Sequence, residues 1–110
     1  MSEPQIPEID IDEARARVEA GAALLDVREA DEWQAGRAEQ ARWIPMGEVG
    51  ARHDELPDDR QLVVICRSGG RSGKVVAALA QAGYDAVNVA GGMKAWEASG
   101  FTVVADDGTP

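Results

Sequence analysis

Four consecutive apolar residues, Leu62-Val63-Val64-Ile65, form the clearest element in the chain. They are mostly β-branched and lie between Arg60-Gln61 and a glycine-rich turn, so they predict a strand buried on both faces. Shorter runs at Ala22 to Val27 and Ala86 to Val89 predict two more strands, and Trp43-Ile44-Pro45 a brief fourth. Between these runs the apolar spacing is helical. Val75, Leu79 and Ala82 share one face of a helix over 72–82, with Val76 and Ala80 beside them and Gly83 as the stop. Ala14, Val18 and Ala20 mark an earlier helix that Asp10 or Asp12 can cap and Gly21 ends. Arg28 to Ala35 is polar and helix-compatible, ending at Gly36. Residues 47–56 predict another helix, closed by Pro57-Asp58-Asp59, and Gly91-Gly92 leads into a last one through Ala95, Trp96 and Ala98. Strands alternating with helices predict an α/β domain with a mostly parallel sheet. Residues 1–8 read as a loose lead-in and 105–110 as a frayed tail, flanking one domain core over about residues 9–101.

Composition narrows the function. Twenty acids against eleven bases give a net charge of −9, which argues against nucleic-acid or anionic-membrane partners. The single cysteine, Cys66, excludes an intrachain disulfide, and with the single histidine, His53, it excludes a tetrahedral Cys/His zinc site. The first ten residues are acidic, with no basic segment leading into an apolar run, so no secretory signal is expected. No stretch reaches the roughly 18 apolar residues of a membrane helix. The expectation is a cytoplasmic protein with a reduced thiol, monomeric by default.

Candidate chemistry concentrates in Cys66-Arg67-Ser68-Gly69-Gly70-Arg71-Ser72-Gly73-Lys74. Here a buried parallel strand runs into a tight loop and then a helix. Ligands of open α/β sheets bind outside the carboxyl ends of the strands, where Cys66 would lie. Loop amides and the helix start both favour an anion there, so the thiol should ionise more readily than usual. From Gln61 to Tyr84 there are three bases, Arg67, Arg71 and Lys74, and no acid. That makes a local positive site on an acidic molecule. The bland alternative is a buried cysteine before an ordinary turn, which needs neither the glycines nor the arginines.

At this point the sequence resembles the rhodanese family over roughly Ile9 to Phe101. Leu24-Leu25-Asp26-Val27-Arg28-Glu29 is similar to its first-strand motif, and Asp31-Glu32-Trp33 with Ala35-Gly36 to the segment after it. Ile44-Pro45 resembles the next landmark, Cys66 to Ser72 the active-site loop, and Gly91-Gly92-Met93 with Ala95-Trp96 the closing motif. The segment 36–43 departs from the pattern. Arg37 stands where a histidine is common and Gln40 where a glycine is usual, so this loop is expected to differ in shape.

The resemblance implies a rhodanese-like fold, a central mostly parallel sheet with helices on both faces. It implies a sulfurtransferase with Cys66 as nucleophile. A small anionic donor such as thiosulfate gives its outer sulfur to Cys66, and the persulfide passes it to a thiol or protein acceptor. No metal and no organic cofactor is implied. Arg67, Ser68, Gly69, Gly70 and Arg71 would supply amides around the sulfur, with Arg67 and Arg71 holding the donor's anionic end. Arg71 has an alternative role in an ion pair with Asp26 or Glu32. Ser72 has one as a helix cap, and Lys74 lies between site and solvent. Asp26 and Arg28 are supporting residues, Asp26 accepting backbone hydrogen bonds and Arg28 pairing with an acid.

Two rivals differ in class. Cysteine phosphatases and arsenate reductases have a similar loop, but phosphatases place five residues between Cys and Arg, and here four intervene. The single cysteine also disfavours reductase cycles that need an internal resolving thiol. A non-catalytic rhodanese-like binding module is the other rival, against which the presence of Cys66 argues. Among the remaining residues, His53 reads as part of a solvated helix face and Trp33 and Trp96 as packing residues. Trp43 reads as either core or pocket wall. Asp58-Asp59 and Asp106-Asp107 read as solvated turn and tail charges.

Overall fold

A computed structural model describes residues 6–106. Five short parallel strands form the central sheet: β1 (Glu8–Ile9), β2 (Ala23–Asp26), β4 (Arg42–Trp43), β5 (Leu62–Ile65) and β6 (Ala86–Val89). Their order is β1-β6-β5-β2-β4, so the all-apolar β5 is the central strand. Ala23 pairs with Leu62 and Asp26 with Ile65 along the β2–β5 ladder, and Val63 pairs with Val87 on the other side of β5. All four β5 residues are buried, as an uninterrupted apolar run in a parallel sheet requires.

The two faces of β5 feed two cores. Leu62, Val64 and Cys66 pack with Leu25, Val27 and Ile44, and with Val75, Val76 and Leu79 of helix α4 (Gly70–Gln81). Val63 and Ile65 pack on the opposite face with Leu24, Val87 and Val89. Ala14 of α1 (Ile11–Glu19) and Met93 and Trp96 of α5 (Gly92–Ala98) cover that face. Helices therefore lie on both faces of a mostly parallel sheet. Asp10, not Asp12, caps α1, accepting from the Glu13 amide at 2.8 Å.

Several local expectations are corrected. Helix α4 begins at Gly70 rather than Ser72, because Gly69, at φ 115°, turns the chain one residue after Ser68. Ser72 is thus inside the helix and does not cap it. Helix α2 (Ala30–Ala35) starts two residues later than Arg28, whose side chain is buried on Asp26. The stretch 47–56 is not one helix. A 3₁₀ turn over Met46–Glu48 leads into α3 (Val49–Arg52) and a second 3₁₀ turn over His53–Glu55, with Gly47 and Gly50 lowering its helical propensity.

Order extends further at both ends than the sequence suggests. Glu8 and Ile9 pair with Asn88 and Val89. A two-stranded antiparallel ribbon joins β3 (Arg37–Ala38) to β7 (Val103–Val104). Asp106 is exposed, as expected of a tail charge, but it is tied down: its carboxylate pairs with Arg37 and its amide donates to the Gln34 carbonyl. Asp107, the rest of the tail and residues 1–5 lie outside the described residues. Among the described residues no helix is long and apolar enough to cross a membrane.

Candidate active site

The chain leaves β2 outward to β4 and leaves β5 outward to β6, in opposite directions along the sheet. The loops after β2 and β5 therefore part at the carboxyl ends of the two strands, where α/β sheets form crevices. Cys66 follows β5 directly at this point and is 1% exposed. By strand alternation its side chain turns to the α4 face, the same as Val64.

Two groups contact the sulfur directly. The Gly69 amide donates to Cys66 Sγ at 3.1 Å, and Ser72 Oγ lies 3.2 Å away. Burial pushes the Cys66 thiol up. The Ser72 hydroxyl and the amides of Ser72, Gly69 and Ser68 outweigh it and hold the thiol below its ordinary value. The N-terminus of α4 adds its dipole in the same sense. Arg67, Ser68 and Gly70 are exposed, so the loop shows its polar side to solvent above a buried sulfur.

Arg71 reaches across to α2. Its Nη1 and Nη2 donate to Glu32 Oε1 and Oε2 at 2.6 and 2.8 Å. Of the two acids open to it in the sequence, the partner is Glu32, because Asp26 is already taken. Glu32 Oε1 also accepts from the Glu29 amide at the start of α2. One carboxylate thus fixes the first turn of α2 and clamps α4 to it. The Arg71 guanidinium holds the Glu32 carboxyl down at about 2, against the opposing effect of partial burial.

A depressed carboxylate contributes stability above its unfolded value and loses it as the pH falls through the folded one. Glu32→Gln is therefore expected to cost about 1 kcal/mol at neutral pH, the pair being partly solvent-screened. The difference from wild type should shrink as pH drops from 4.5 towards 2. Urea unfolding of both proteins across that range measures it.

Asp26 and Arg28 form a buried pair, 0% and 6% exposed. Arg28 Nη2 donates to Asp26 Oδ2 at 2.8 Å, Arg28 Nε to both carboxylate oxygens, and the Arg28 amide to Oδ1. Arg28 Nη2 also holds the Gly36 carbonyl at 2.7 Å, tying the end of α2 to the end of β2. Trp43, half-buried, stacks on Trp33 and donates to the Arg28 carbonyl. Lys74 is exposed and borders an apolar groove with Met46, Val49, Val75 and Leu79. His53 is exposed and lies 3.1 Å from the Tyr84 hydroxyl.

The glycines before α5 seat the loop from behind. The Met93 amide donates to the Cys66 carbonyl at 2.8 Å and the Lys94 amide to the Arg67 carbonyl at 3.0 Å. This approach is possible because Gly92, at φ 53°, carries no side chain; a Cβ there would lie 2.3 Å from the Cys66 carbonyl oxygen. Arg67 and Lys94 also line a cavity of about 480 Å³ with Arg28, Glu32 and Glu97. The positive island of the local sequence is therefore mixed in space, since Glu32 and Glu97 come in from other elements. The atypical Arg37 is not part of this cavity's lining: it pairs with Asp106, donates to the Trp33 carbonyl and lies over the Trp33 ring.

Sequence reasoning missed Asn88. It is 1% exposed in β6 and touches Ser72, Gly69 and Glu8. A polar residue inside an apolar strand was the available signal.

Known proteins are similar to this chain in sequence and in fold. A sulfurtransferase from Allochromatium vinosum is 41% identical over 77% of this chain and 80% of its own length. Thiosulfate sulfurtransferase 18 of Arabidopsis thaliana is 31% identical over 96% of this chain and 89% of its own. The crystal structure of a rhodanese-related protein from Thermoplasma volcanium superposes with a TM-score of 0.85 at 32% identity, covering 91% of this chain and 99% of that one. The rhodanese-like domain family model matches residues 10–99, a span that takes in β2, the cysteine loop and the glycine pair behind it, and the chain belongs to that family.

Proposed function

We propose that this protein is a sulfurtransferase that moves a sulfane sulfur from thiosulfate or a persulfide donor to a thiophilic acceptor through a persulfide on Cys66. The observation that carries the reading is the sulfur itself, seated at the end of β5 under the Gly69 amide and the Ser72 hydroxyl. The relatives named as sulfurtransferases support the class of reaction. The Cys66 thiolate attacks the donor's outer sulfur, a new S–S bond forms, and the old one breaks with its electron pair leaving on sulfite. A thiolate acceptor then attacks the outer sulfur of the persulfide, and Cys66 departs as thiolate. The reaction is covalent catalysis in two displacements. A preformed thiolate removes the need for a general base. With no second cysteine in the chain, the sulfur passes to an external acceptor.

Intact mass spectrometry after thiosulfate treatment tests this. Wild type should gain one sulfur atom that a reductant or cyanide removes, and Cys66→Ala should gain none. Failure of wild type to gain sulfur from thiosulfate and from organic persulfides alike would overturn the reading.

A further inference from the structure

Ser72 Oγ has one proton and three acceptors around it: Cys66 Sγ at 3.2 Å, the Gly69 carbonyl at 3.3 Å and Asn88 Oδ1 at 2.5 Å. The orientation of the Asn88 amide decides the competition. Its Nδ2 donates to Glu8 Oε2 at 2.9 Å and to the Gly69 carbonyl at 3.1 Å. A carboxylate and a peptide carbonyl only accept, so both Asn88 protons are committed and Oδ1 must face Ser72. Oδ1 has no proton of its own. The contact between the two oxygens is therefore satisfied when the Ser72 hydroxyl points at Asn88. Ser72 then turns a lone pair to the sulfur, which suits a thiol S–H and repels a thiolate. When the hydroxyl instead points at the sulfur it stabilises the thiolate, and Asn88 Oδ1 loses its donor in a buried site.

We propose that Asn88 is a positioning residue for the Cys66 chemistry: it competes with the sulfur for the single Ser72 proton, and Glu8 fixes the amide in the competing orientation. This rests on Cys66 as the reacting group in sulfur transfer. No proton leaves Ser72 in the cycle. Its hydroxyl turns towards the sulfur when Cys66 is thiolate and back to Asn88 when the charge has moved to the outer sulfur of the persulfide. Asn88 thus balances the two half-reactions, giving up some thiolate so that the persulfide state is not left with an orphaned amide oxygen.

Cys66 is the only thiol, so its alkylation by iodoacetamide against pH reads the thiolate directly. Asn88→Ala frees the Ser72 hydroxyl for the sulfur. It should raise the alkylation rate about tenfold at pH values below the wild-type midpoint. In a Ser72→Ala background the same change should alter the rate by less than about twofold. The charged groups around the sulfur stay constant across this cycle: Arg67 and Arg71 of the loop and α4, Glu29 and Glu32 of α2, the Asp26–Arg28 pair after β2, Lys94 of α5 and Glu8 of β1. A rate within twofold of wild type, or the same factor in both backgrounds, overturns the proposal.

If the buried Asn88→Ala variant does not fold, Glu8→Ala decides, because Glu8 is exposed. It should raise the rate roughly threefold with Ser72 present and by less without it. Equal factors would mean simple loss of a negative charge and would overturn the proposed competition. Alkylation needs no sulfur donor, so a protein that shows this coupling yet gains no sulfur from any donor overturns the sulfurtransferase reading and not the proton competition.

Discussion

Cys66→Ser is expected to lower sulfur transfer by more than about 10³-fold while leaving the protein folded. The two expectations have separate physical grounds. The hydroxyl of a serine stays protonated at neutral pH, and amides that bring a thiol below its ordinary value cannot bring an alcohol into range. Oxygen also forms no counterpart of the labile S–S bond that a persulfide must make and break. The site itself survives, because Ser is smaller than Cys and its oxygen can accept from the same Gly69 amide. Burying a hydroxyl where a weakly polar thiol sat should cost about 1–2 kcal/mol. Thiocyanate formation from thiosulfate and cyanide measures the first effect, and urea unfolding the second. Retained turnover in a stably folded Cys66→Ser protein would remove Cys66 from the chemistry.

That the cysteine could be picked out at all follows from how local its surroundings are. An all-apolar strand, a glycine that turns the chain and a helix follow one another within twenty residues, and each leaves its own mark in the sequence. The groups that tune the site come from elsewhere. Glu32 reaches Arg71 from 39 positions away, and Glu8 reaches Asn88 from 80. No periodicity reports a pairing of that range. The count of bases near Cys66 therefore described a positive site, while the folded cavity also holds Glu32 and Glu97. The two-residue strands β3 and β7 were invisible for a different reason. A pair of residues is too short to show alternation, and only the register between Arg37–Ala38 and Val103–Val104 defines them. The same short ribbon brings Asp106 to Arg37, turning an apparent tail charge into a tether.

The glycine pair before α5 was legible as a motif, but its physical reason lies in the structure, and it yields the strongest stability prediction. Gly92→Ala is expected to destabilise the protein by about 3–4 kcal/mol and to slow Cys66 alkylation together with sulfur transfer. Two costs add. Gly92 sits at φ 53°, a left-handed conformation that costs an L-residue about 1–2 kcal/mol. Its Cβ would also lie 2.3 Å from the Cys66 carbonyl oxygen and 2.7 Å from the Arg67 carbonyl group, and both are backbone that no rotamer change can move aside. Relief must come from parting α5 from the loop, which breaks the Met93–Cys66 and Lys94–Arg67 hydrogen bonds and shifts the sulfur away from the Gly69 amide. Gly83→Ala separates the two costs. Gly83 also has positive φ, at 94°, but a Cβ there meets nothing within 4 Å, so only the conformational cost of about 1 kcal/mol remains. For a domain of this size the gap between the variants should appear as a difference in Tm of roughly 10 °C or more. Equal losses in the two variants would mean that α5 does not press on the Cys66 loop, and the seating of the sulfur would then have to come from α4 and Glu32 alone.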